Sequence, residues 1–193
     1  MLDNLNKYKV ILASNSPRRK MLLGGLDIPF EVKVLPDIDE SYPPGLPLVQ
    51  VAEYIAAEKA EAYRPLMGAD ELIITADTIV IAAGEVLGKP IDKADAARML
   101  RTLSNRTHVV VTGVCITTQQ RQKHFSATTD VTFKELTEEE IAYYLEKYRP
   151  YDKAGSYGVQ EWIGYVGVSA INGSFYNVMG FPVQRIYNEL ADF

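Results

Sequence analysis

Residues 8–19 read YKVILASNSPRR, an apolar run that passes directly into two serines, a proline and two arginines. The apolar run predicts a strand, and Ser16 followed by Pro17 predicts the N-cap and first residue of a helix. The backbone N–H groups of this helix start, its positive dipole end and two guanidinium groups favour an anion, and a polyphosphate suits them best. The alternative is a capped helix with two solvated arginines. Ligand binding is favoured because α/β proteins bind ligands at strand-to-helix turns.

The composition limits the class of partner. The 193-residue chain carries a net charge of −5 with a pI near 5.1, which argues against nucleic acid and for a small anionic ligand. No apolar run approaches the roughly 20 residues of a membrane span, and Met1–Lys9 lacks a signal-peptide pattern. Cys115 lies in an apolar run and is predicted to be a buried, reduced thiol, while His108 and His124 lack metal-ligand spacing. We therefore predict a cytoplasmic protein with no membrane partner.

Apolar runs alternate with helical patterns along the chain, which predicts an α/β fold. Turn signals at Ala83-Gly84-Glu85, Thr118–Arg121 and Asn172-Gly173 indicate hairpins, so the sheet is predicted to be mixed. The predicted strands are Lys9–Ala13, Phe30–Leu35, Leu72–Ala82, His108–Thr117, Lys123–Phe133 and Ile163–Ile171. The predicted helices are Pro17–Leu26, Leu48–Tyr63, Lys93–Leu103, Glu138–Lys147 and Val183–Asp192. No linker is long enough to separate independent domains, so residues 1–193 are predicted to form a single domain.

Asp77 interrupts an otherwise apolar predicted strand. A buried carboxylate without a partner costs several kcal/mol, so Asp77 should face a cation, a set of donors or a water-filled cleft. The alternative is a strand end or a structural aspartate bonded to backbone. We favour a functional site, because charges inside strands usually mark one.

Lys59 lies in the middle of a predicted apolar helical stripe formed by Val49, Ala52, Ile55, Ala56 and Tyr63. Its stem can simply lie along the core with its ammonium in water. Its other use is to bring a cation to the sheet edge, near Asp77 or a phosphate.

Three further segments carry weaker signals. Lys89, in Gly88-Lys89-Pro90, adds a third cation shortly after Asp77. The glycine-rich segment 152–160 allows close backbone approach to a ligand. The loop Pro36–Pro47 contains Asp37, Asp39 and Glu40, which are able to hold a hard cation such as magnesium. A solvated lysine, an ordinary connection and a solvated acidic loop are the respective alternatives.

Together these features provide an anion cradle, further lysines, a buried carboxylate and an acidic loop. That set suits a metal-assisted attack of water on a phosphoanhydride. The chain has neither a Walker A motif nor a dinucleotide glycine fingerprint, which argues against those classes of ATPase and dehydrogenase.

Seven segments, in this order, resemble the Maf family of nucleoside triphosphate pyrophosphatases over nearly the whole chain: 14–19, 39–40, 58–60, 76–78, 88–90, 152–158 and 180–182. The resemblance implies an elongated mixed α/β fold of the Maf and ITPase type, with a twisted sheet, flanking helices and a deep cleft, commonly as a homodimer. It also implies cleavage of a nucleoside triphosphate to the monophosphate and diphosphate with a divalent cation, Mg²⁺ or Mn²⁺.

The resemblance implies a role for each matching residue. Asp77 is similar to the family's proton acceptor, and Ser14 and Arg19 to its triphosphate ligands. Lys59 and Lys89 match the supporting catalytic lysines. Glu40 and Asp77 match the carboxylates near the metal, with Asp39 as the alternative to Glu40.

Three positions distinguish branches of the family. Arg18, Thr78 and Gln160 resemble the branch that acts on dTTP and UTP, whereas the sister branch acting on 7-methylguanosine triphosphate has Trp, Gln and Glu there. The chain departs from the family at Gln160-Glu161-Trp162, where glycine usually follows the glutamine. Two alternatives stay open: a pyrophosphatase for modified nucleotides, and a nucleotide-binding regulator of cell division without turnover.

Overall fold

The computed structural model describes residues 2–193. Its strands are β1 (Lys9–Leu12), β2 (Glu31–Val32), β3 (Glu71–Ala82), β4 (Glu85–Leu87), β5 (Thr107–Thr117), β6 (Gln122–Phe133) and β7 (Val168–Asn172). They form one sheet in the order β2-β1-β3-β5-β6-β7, and β4 pairs with β3. β1 is parallel to β2 and β3, whereas β4 is antiparallel to β3 and β7 is antiparallel to β6. The predicted mixed α/β fold is therefore confirmed.

The α-helices are α1 (Pro17–Gly24), α2 (Leu48–Tyr63), α3 (Lys93–Leu103), α4 (Glu138–Tyr148), α5 (Trp162–Gly167), α6 (Phe175–Val178) and α7 (Val183–Ala191). The predicted bounds of α2 and α3 are confirmed residue for residue. α4 begins with a capping box between Thr137 and Glu140, which satisfies backbone N–H groups of its first turn. No helix in the described part of the chain combines the length and hydropathy that a membrane crossing requires.

The chain divides into two compact units. The first unit comprises residues 2–77, 112–127 and 180–193, and its buried side chains include Leu12, Val51 and Ile73. The second unit comprises residues 78–111 and 128–179, and its buried side chains include Leu100 and Tyr144. The single domain predicted for residues 1–193 stays a prediction.

In the first unit, α2 lies very close to the sheet. A Cβ atom added at Gly113 in β5 would lie 2.2 Å from the carbonyl oxygen of Ala52 in α2, so only glycine fits there. The hydroxyl of Thr75 in β3 donates to the carbonyl oxygen of Ala56 at 2.6 Å. These two contacts fix α2 against β5 and β3, and they thereby fix the position of Lys59.

The predicted strand Ile163–Ile171 is wrong in its first half. Residues Trp162–Gly167 form α5, and the strand β7 begins only at Val168. The carbonyl oxygen of Glu161 accepts from the N–H of Gly164 at 2.9 Å and of Tyr165 at 3.4 Å. These local bonds coil the segment despite its strand-like composition.

The predicted strand Phe30–Leu35 is reduced to the two residues of β2. The hydroxyl of Tyr63 accepts from the N–H of Leu35 at 2.9 Å and donates to the carbonyl of Lys33 at 3.0 Å. A side chain therefore satisfies backbone groups that a longer strand would pair with a neighbour.

Two smaller expectations also differ from the structure. Val49 is exposed, and Val51 takes the buried position on α2. The Ala83-Gly84 hairpin is confirmed between β3 and β4, but Gly173 (φ 132°) joins β7 to α6 instead of to another strand.

Candidate active site

The turn between β1 and α1 forms as the sequence predicts. Ser16 is the N-cap of α1, its hydroxyl accepts from the N–H of Arg19 at 3.4 Å, and Pro17 follows it. The buried Ser14 hydroxyl accepts from the N–H of Ser16 at 3.2 Å. The turn therefore combines hydroxyls and a helix start, which is a favourable environment for an anion.

The guanidinium of Arg19 connects this turn to two other segments of the first unit. Its Nε donates to the carbonyl oxygen of Gly180 at 2.9 Å. Its Nη1 donates to the carbonyl oxygen of Ala76 at 2.9 Å and to the hydroxyl of Ser14 at 3.4 Å. Arg19 is therefore held beside the residue that precedes Asp77.

The pKa of Arg19 responds to the charged side chains that lie near it. Burial lowers the pKa of Arg19, while the negative charge of Asp77 and, more weakly, that of Glu40 raise it. The nearby guanidinium of Arg18 lowers that pKa further. A guanidinium nevertheless remains protonated in proteins, so Arg19 is a permanent cation among these groups.

Lys59 joins two carboxylates. Its Nζ lies 2.8 Å from Oδ1 of Asp77 and 2.8 Å from Oε1 of Glu40. The Lys59 and Asp77 side chains are 13% and 14% exposed, whereas the Glu40 side chain is 49% exposed. Of the alternatives left open by the sequence, Asp77 therefore faces a cation, and that cation is the ammonium of Lys59.

The hydroxyl of Tyr63 holds the backbone just before the acidic loop, at Lys33 and Leu35. Further along this loop Glu40 reaches Lys59, whereas Asp39 bonds to the N–H of Ser41 at 2.9 Å and to its hydroxyl at 2.8 Å. These bonds lower the pKa of Asp39. Of the two carboxylates considered from sequence, Glu40 is therefore the one that lies beside Asp77.

We refer to Ser14, Arg19, Glu40, Lys59 and Asp77 as the charged cluster. Its cations and hydroxyl can bind phosphate oxygens, and its carboxylates can accept a proton or ligate a hard cation. No group of three or more His, Cys, Asp or Glu side chains arranged for a metal occurs within residues 2–193. Two carboxylates are nevertheless enough for Mg²⁺, which commonly binds one or two together with substrate phosphates.

Three of the remaining predicted residues, Thr78, Lys89 and Gln160, lie in the second unit, whereas Arg18 lies in the first turn of α1 in the first unit. Thr78 is half-buried in β3, and Lys89 is exposed in the turn after β4. The carbonyl of Gly88 accepts from the N–H of Gly155 at 3.1 Å, so the segment of Lys89 lies beside the glycine-rich segment 152–160.

Gln160 ends that glycine-rich segment. Its Oε1 atom is buried and has no hydrogen-bond partner in the part of the chain that the structure describes. A Cβ atom added at Gly158 would lie 2.9 Å from Nε2 of Gln160, so the amide rests directly on the Gly158 backbone. An unbonded buried acceptor of this kind is costly in the free protein, and a donor on a ligand would satisfy it.

Sequence reasoning did not identify the role of three contributors to the charged cluster. The carbonyl of Gly180 holds Arg19, Tyr63 fixes the acidic loop, and Thr75 fixes α2. A backbone carbonyl has no signal in a sequence. Tyr63 lies on an apolar helix face and Thr75 lies in a strand, so each is explained by the sequence pattern without a hydrogen-bonding role.

The fold and the charged cluster define a mixed α/β protein whose strand-to-helix turn offers cations to an anion, beside two carboxylates. The chain belongs to the Maf family, because the family model described as Maf-like protein matches residues 9–193. A dTTP/UTP pyrophosphatase from Parabacteroides distasonis is 60% identical over 193 residues, which cover 100% of both chains. A dTTP/UTP pyrophosphatase from Flavobacterium johnsoniae is 45% identical, covering 98% of this chain and 97% of that protein.

A solved structure of a HAM1 protein from Coxiella burnetii has a similar fold. The TM-score is 0.50 at 14% identity, covering 96% of this chain and 100% of the other. At this identity the likeness concerns the fold alone.

Proposed function

We propose that this protein is a hydrolase that cleaves dTTP and UTP to the nucleoside monophosphate and diphosphate. The observation that carries the proposal is the position of Asp77, which shares the Lys59 ammonium with Glu40 and follows the residue bound by Arg19. This arrangement sets a proton acceptor among phosphate-binding cations. Relatives that cover this chain end to end are named dTTP/UTP pyrophosphatase, which supports the same substrates.

In the proposed reaction the oxygen of a water molecule forms a bond to the α-phosphorus. The bond from the α-phosphorus to the oxygen that bridges to the β-phosphorus breaks, and diphosphate leaves. Asp77 accepts the proton that the water gives up. Ser14, Arg19 and the start of α1 hold phosphate oxygens, and Lys59 and Lys89 offset the negative charge of the triphosphate and the leaving diphosphate.

Glu40 and Asp77 are the residues that would hold a divalent cation, Mg²⁺ or Mn²⁺, together with substrate phosphates. The contact of both carboxylates with the Lys59 ammonium supports this assignment, because it brings two oxygen ligands around one positive charge. When bound, such an ion lowers the pKa of water and draws charge from phosphate oxygens.

The base is proposed to be recognised by Arg18, Thr78 and Gln160. The amide of Gln160 offers a donor and an acceptor, which matches the alternating edge of uracil or thymine. The buried Oε1 without a partner supports this role, since the N3–H of either base would satisfy it.

The test is a nucleotide panel with Mg²⁺ or Mn²⁺ in which both products are identified. We expect dTMP or UMP together with diphosphate. Release of orthophosphate and a nucleoside diphosphate would place the attack at the terminal phosphorus and contradict the proposal. Tight binding of dTTP without any turnover would instead favour a regulatory protein, and preferential use of 7-methylguanosine triphosphate would favour the sister branch.

The acidic composition and the buried, free Cys115 also support a cytoplasmic location and a small-molecule partner over nucleic acid. We propose a homodimer as the assembly. Fractionation and light scattering test the location and the assembly.

A further inference from the structure

A polar network surrounds the turn that carries Gln160. Oε1 of Glu161 lies 3.1 Å from Nζ of Lys153, and Oε2 of Glu161 accepts from the hydroxyl of Tyr144. The same hydroxyl oxygen accepts from the N–H of Gly158 at 3.0 Å. The Lys153 and Glu161 side chains are only 10% and 20% exposed, and Tyr144 is fully buried.

The network binds residues on both sides of Gln160. The N–H of Glu161 donates to the carbonyl of Gly158 at 3.0 Å, which closes a tight turn with Gln160 at its third position. Tyr144 holds the first residue of this turn and also binds the side chain of its last residue. The Gln160 amide rests on Gly158, so the network fixes the surface that supports the amide.

The energetics of this network favour a positional role. A mostly buried ion pair is weak evidence for stability, because apolar residues of similar volume often do as well. Burial and the adjacent Glu161 carboxylate raise the pKa of Tyr144, so its hydroxyl keeps the proton that it donates. The Tyr144 hydroxyl therefore donates to Glu161 and accepts from Gly158, and these two directional bonds tie the first residue of the turn to the side chain of its last residue.

The network also accounts for the acidic residue that follows Gln160, because the Glu161 carboxylate binds Lys153 and Tyr144 of the same unit. Trp162 packs edge-on against Tyr143 with ring centroids 4.8 Å apart. Both residues that follow Gln160 are therefore held by contacts within the second unit.

We propose that Glu161, Lys153 and Tyr144 are positioning residues that hold the Gln160 amide in place and so set selectivity for a base with an N3–H donor. The inference rests on the proposed function, in which Gln160 contacts the base. Uracil and thymine carry this donor, whereas N3 of cytosine is an acceptor and cannot donate to Oε1 of Gln160.

The experiment measures binding by calorimetry, using α,β-imido analogues of UTP and CTP that are not cleaved at that linkage. The wild type is compared with Glu161→Gln, which removes the charge but keeps the shape, and with Tyr144→Phe, which removes one oxygen. Glu140→Gln is the matched control, because it also breaks an ion pair of the second unit, with Lys134 at 2.8 Å, and a glutamine preserves the capping box.

We expect the wild type to prefer the UTP analogue, and we expect this preference to fall about tenfold in Glu161→Gln and Tyr144→Phe, the value of one hydrogen bond. Affinity for the CTP analogue should change by less than about twofold, because phosphate contacts are unaffected. Glu140→Gln should keep the wild-type preference. If Glu161→Gln does not fold, Tyr144→Phe decides, since it retains the Lys153–Glu161 pair.

An equal loss of affinity for both analogues would overturn the inference, because it would show a general structural role. An unchanged preference in Tyr144→Phe, or no preference in the wild type, would also overturn it. Turnover is assayed separately with UTP itself. A wild type that binds with the expected preference but releases no diphosphate would refute the proposed reaction and leave the positioning role standing.

Discussion

Lys59 donates to Asp77 at 2.8 Å, over a separation of 18 residues along the chain. The pair joins the fourth turn of α2 to the middle of β3, and its geometry depends on how closely that helix lies on the sheet. Lys59 also reaches Glu40 at 2.8 Å. If either carboxylate loses its charge, the ammonium therefore retains a partner.

Asp77→Asn tests the proposed proton acceptor. The amide keeps the shape of the side chain but cannot accept the proton, so turnover of dTTP should fall at least about a hundredfold. Folding should survive because Lys59 keeps Glu40. Steady-state kinetics and thermal unfolding measure the two effects, and Asp70→Asn, in the exposed turn before β3, is the control. A folded Asp77→Asn with nearly normal turnover would reduce Asp77 to a structural role.

Glu40→Gln and Asp39→Asn form a matched pair within the acidic loop. Glu40 faces Lys59 and Asp77, whereas Asp39 is engaged by Ser41. We expect Glu40→Gln to raise the Mg²⁺ concentration for half-maximal turnover at least about tenfold. Asp39→Asn should leave that concentration nearly unchanged. Equal shifts in both variants would show a general effect of loop charge and would argue against Glu40 as a ligand.

Gln160→Glu tests the proposed role of Gln160 in recognising the base. Glutamate loses the amide donor and adds a negative charge, so catalytic efficiency for UTP should fall relative to that for 7-methylguanosine triphosphate. A polar group left without its partner discriminates strongly between substrates, and we expect the ratio to change at least about tenfold. The ratio is measured in wild type and variant under the same metal concentration. A constant ratio would remove Gln160 from the base site.

The lowered pKa of His108 predicts that the free energy of unfolding depends on pH. Burial lowers its pKa from 6.5 to about 4, and Nε2 bonds to the hydroxyl of Tyr157 at 2.7 Å. The unfolded chain takes up a proton near pH 6.5 and the folded chain only near pH 4, so His108 lowers stability as pH falls through this window. Its contribution should be roughly 3 kcal/mol when the window has been crossed.

Urea unfolding at several pH values between 7.5 and 4 measures this effect. His108→Gln keeps a group that can bond to Tyr157 but does not titrate. The variant should therefore lose less stability than the wild type on acidification. Parallel losses in the two proteins would assign the effect to other groups.

The strongest local signals in the sequence predicted the corresponding structure. Ser16 and Pro17 fix the start of α1 through backbone geometry that two adjacent residues determine. Asp77 could be singled out because a charge within an apolar strand needs a partner, and the helical period placed Lys59 on the face that meets it. These inferences required only short-range periodicity and the cost of burying a charge.

Features that depend on backbone groups distant along the chain could not be predicted from the sequence. Nothing in an irregular acidic loop distinguishes Glu40 from Asp39, since the choice depends on how Tyr63 anchors the preceding residues. The segment Trp162–Gly167 resembles a strand in composition, but hydrogen bonds to the Glu161 carbonyl coil it. The roles assigned to the site residues stay predictions that the variants above test.

Gly113 leaves room for α2 because its side chain is a single hydrogen atom. An alanine methyl at this position would push against the backbone of Ala52. Because a helix is rigid, this displacement would also move Lys59, which lies about 10 Å further along the axis of α2. A mutational scan scored by turnover would therefore rank this buried glycine with Asp77, although it touches no substrate. Tolerance to substitution in this fold is thus set as much by the clearance beneath a helix as by the groups that perform the chemistry.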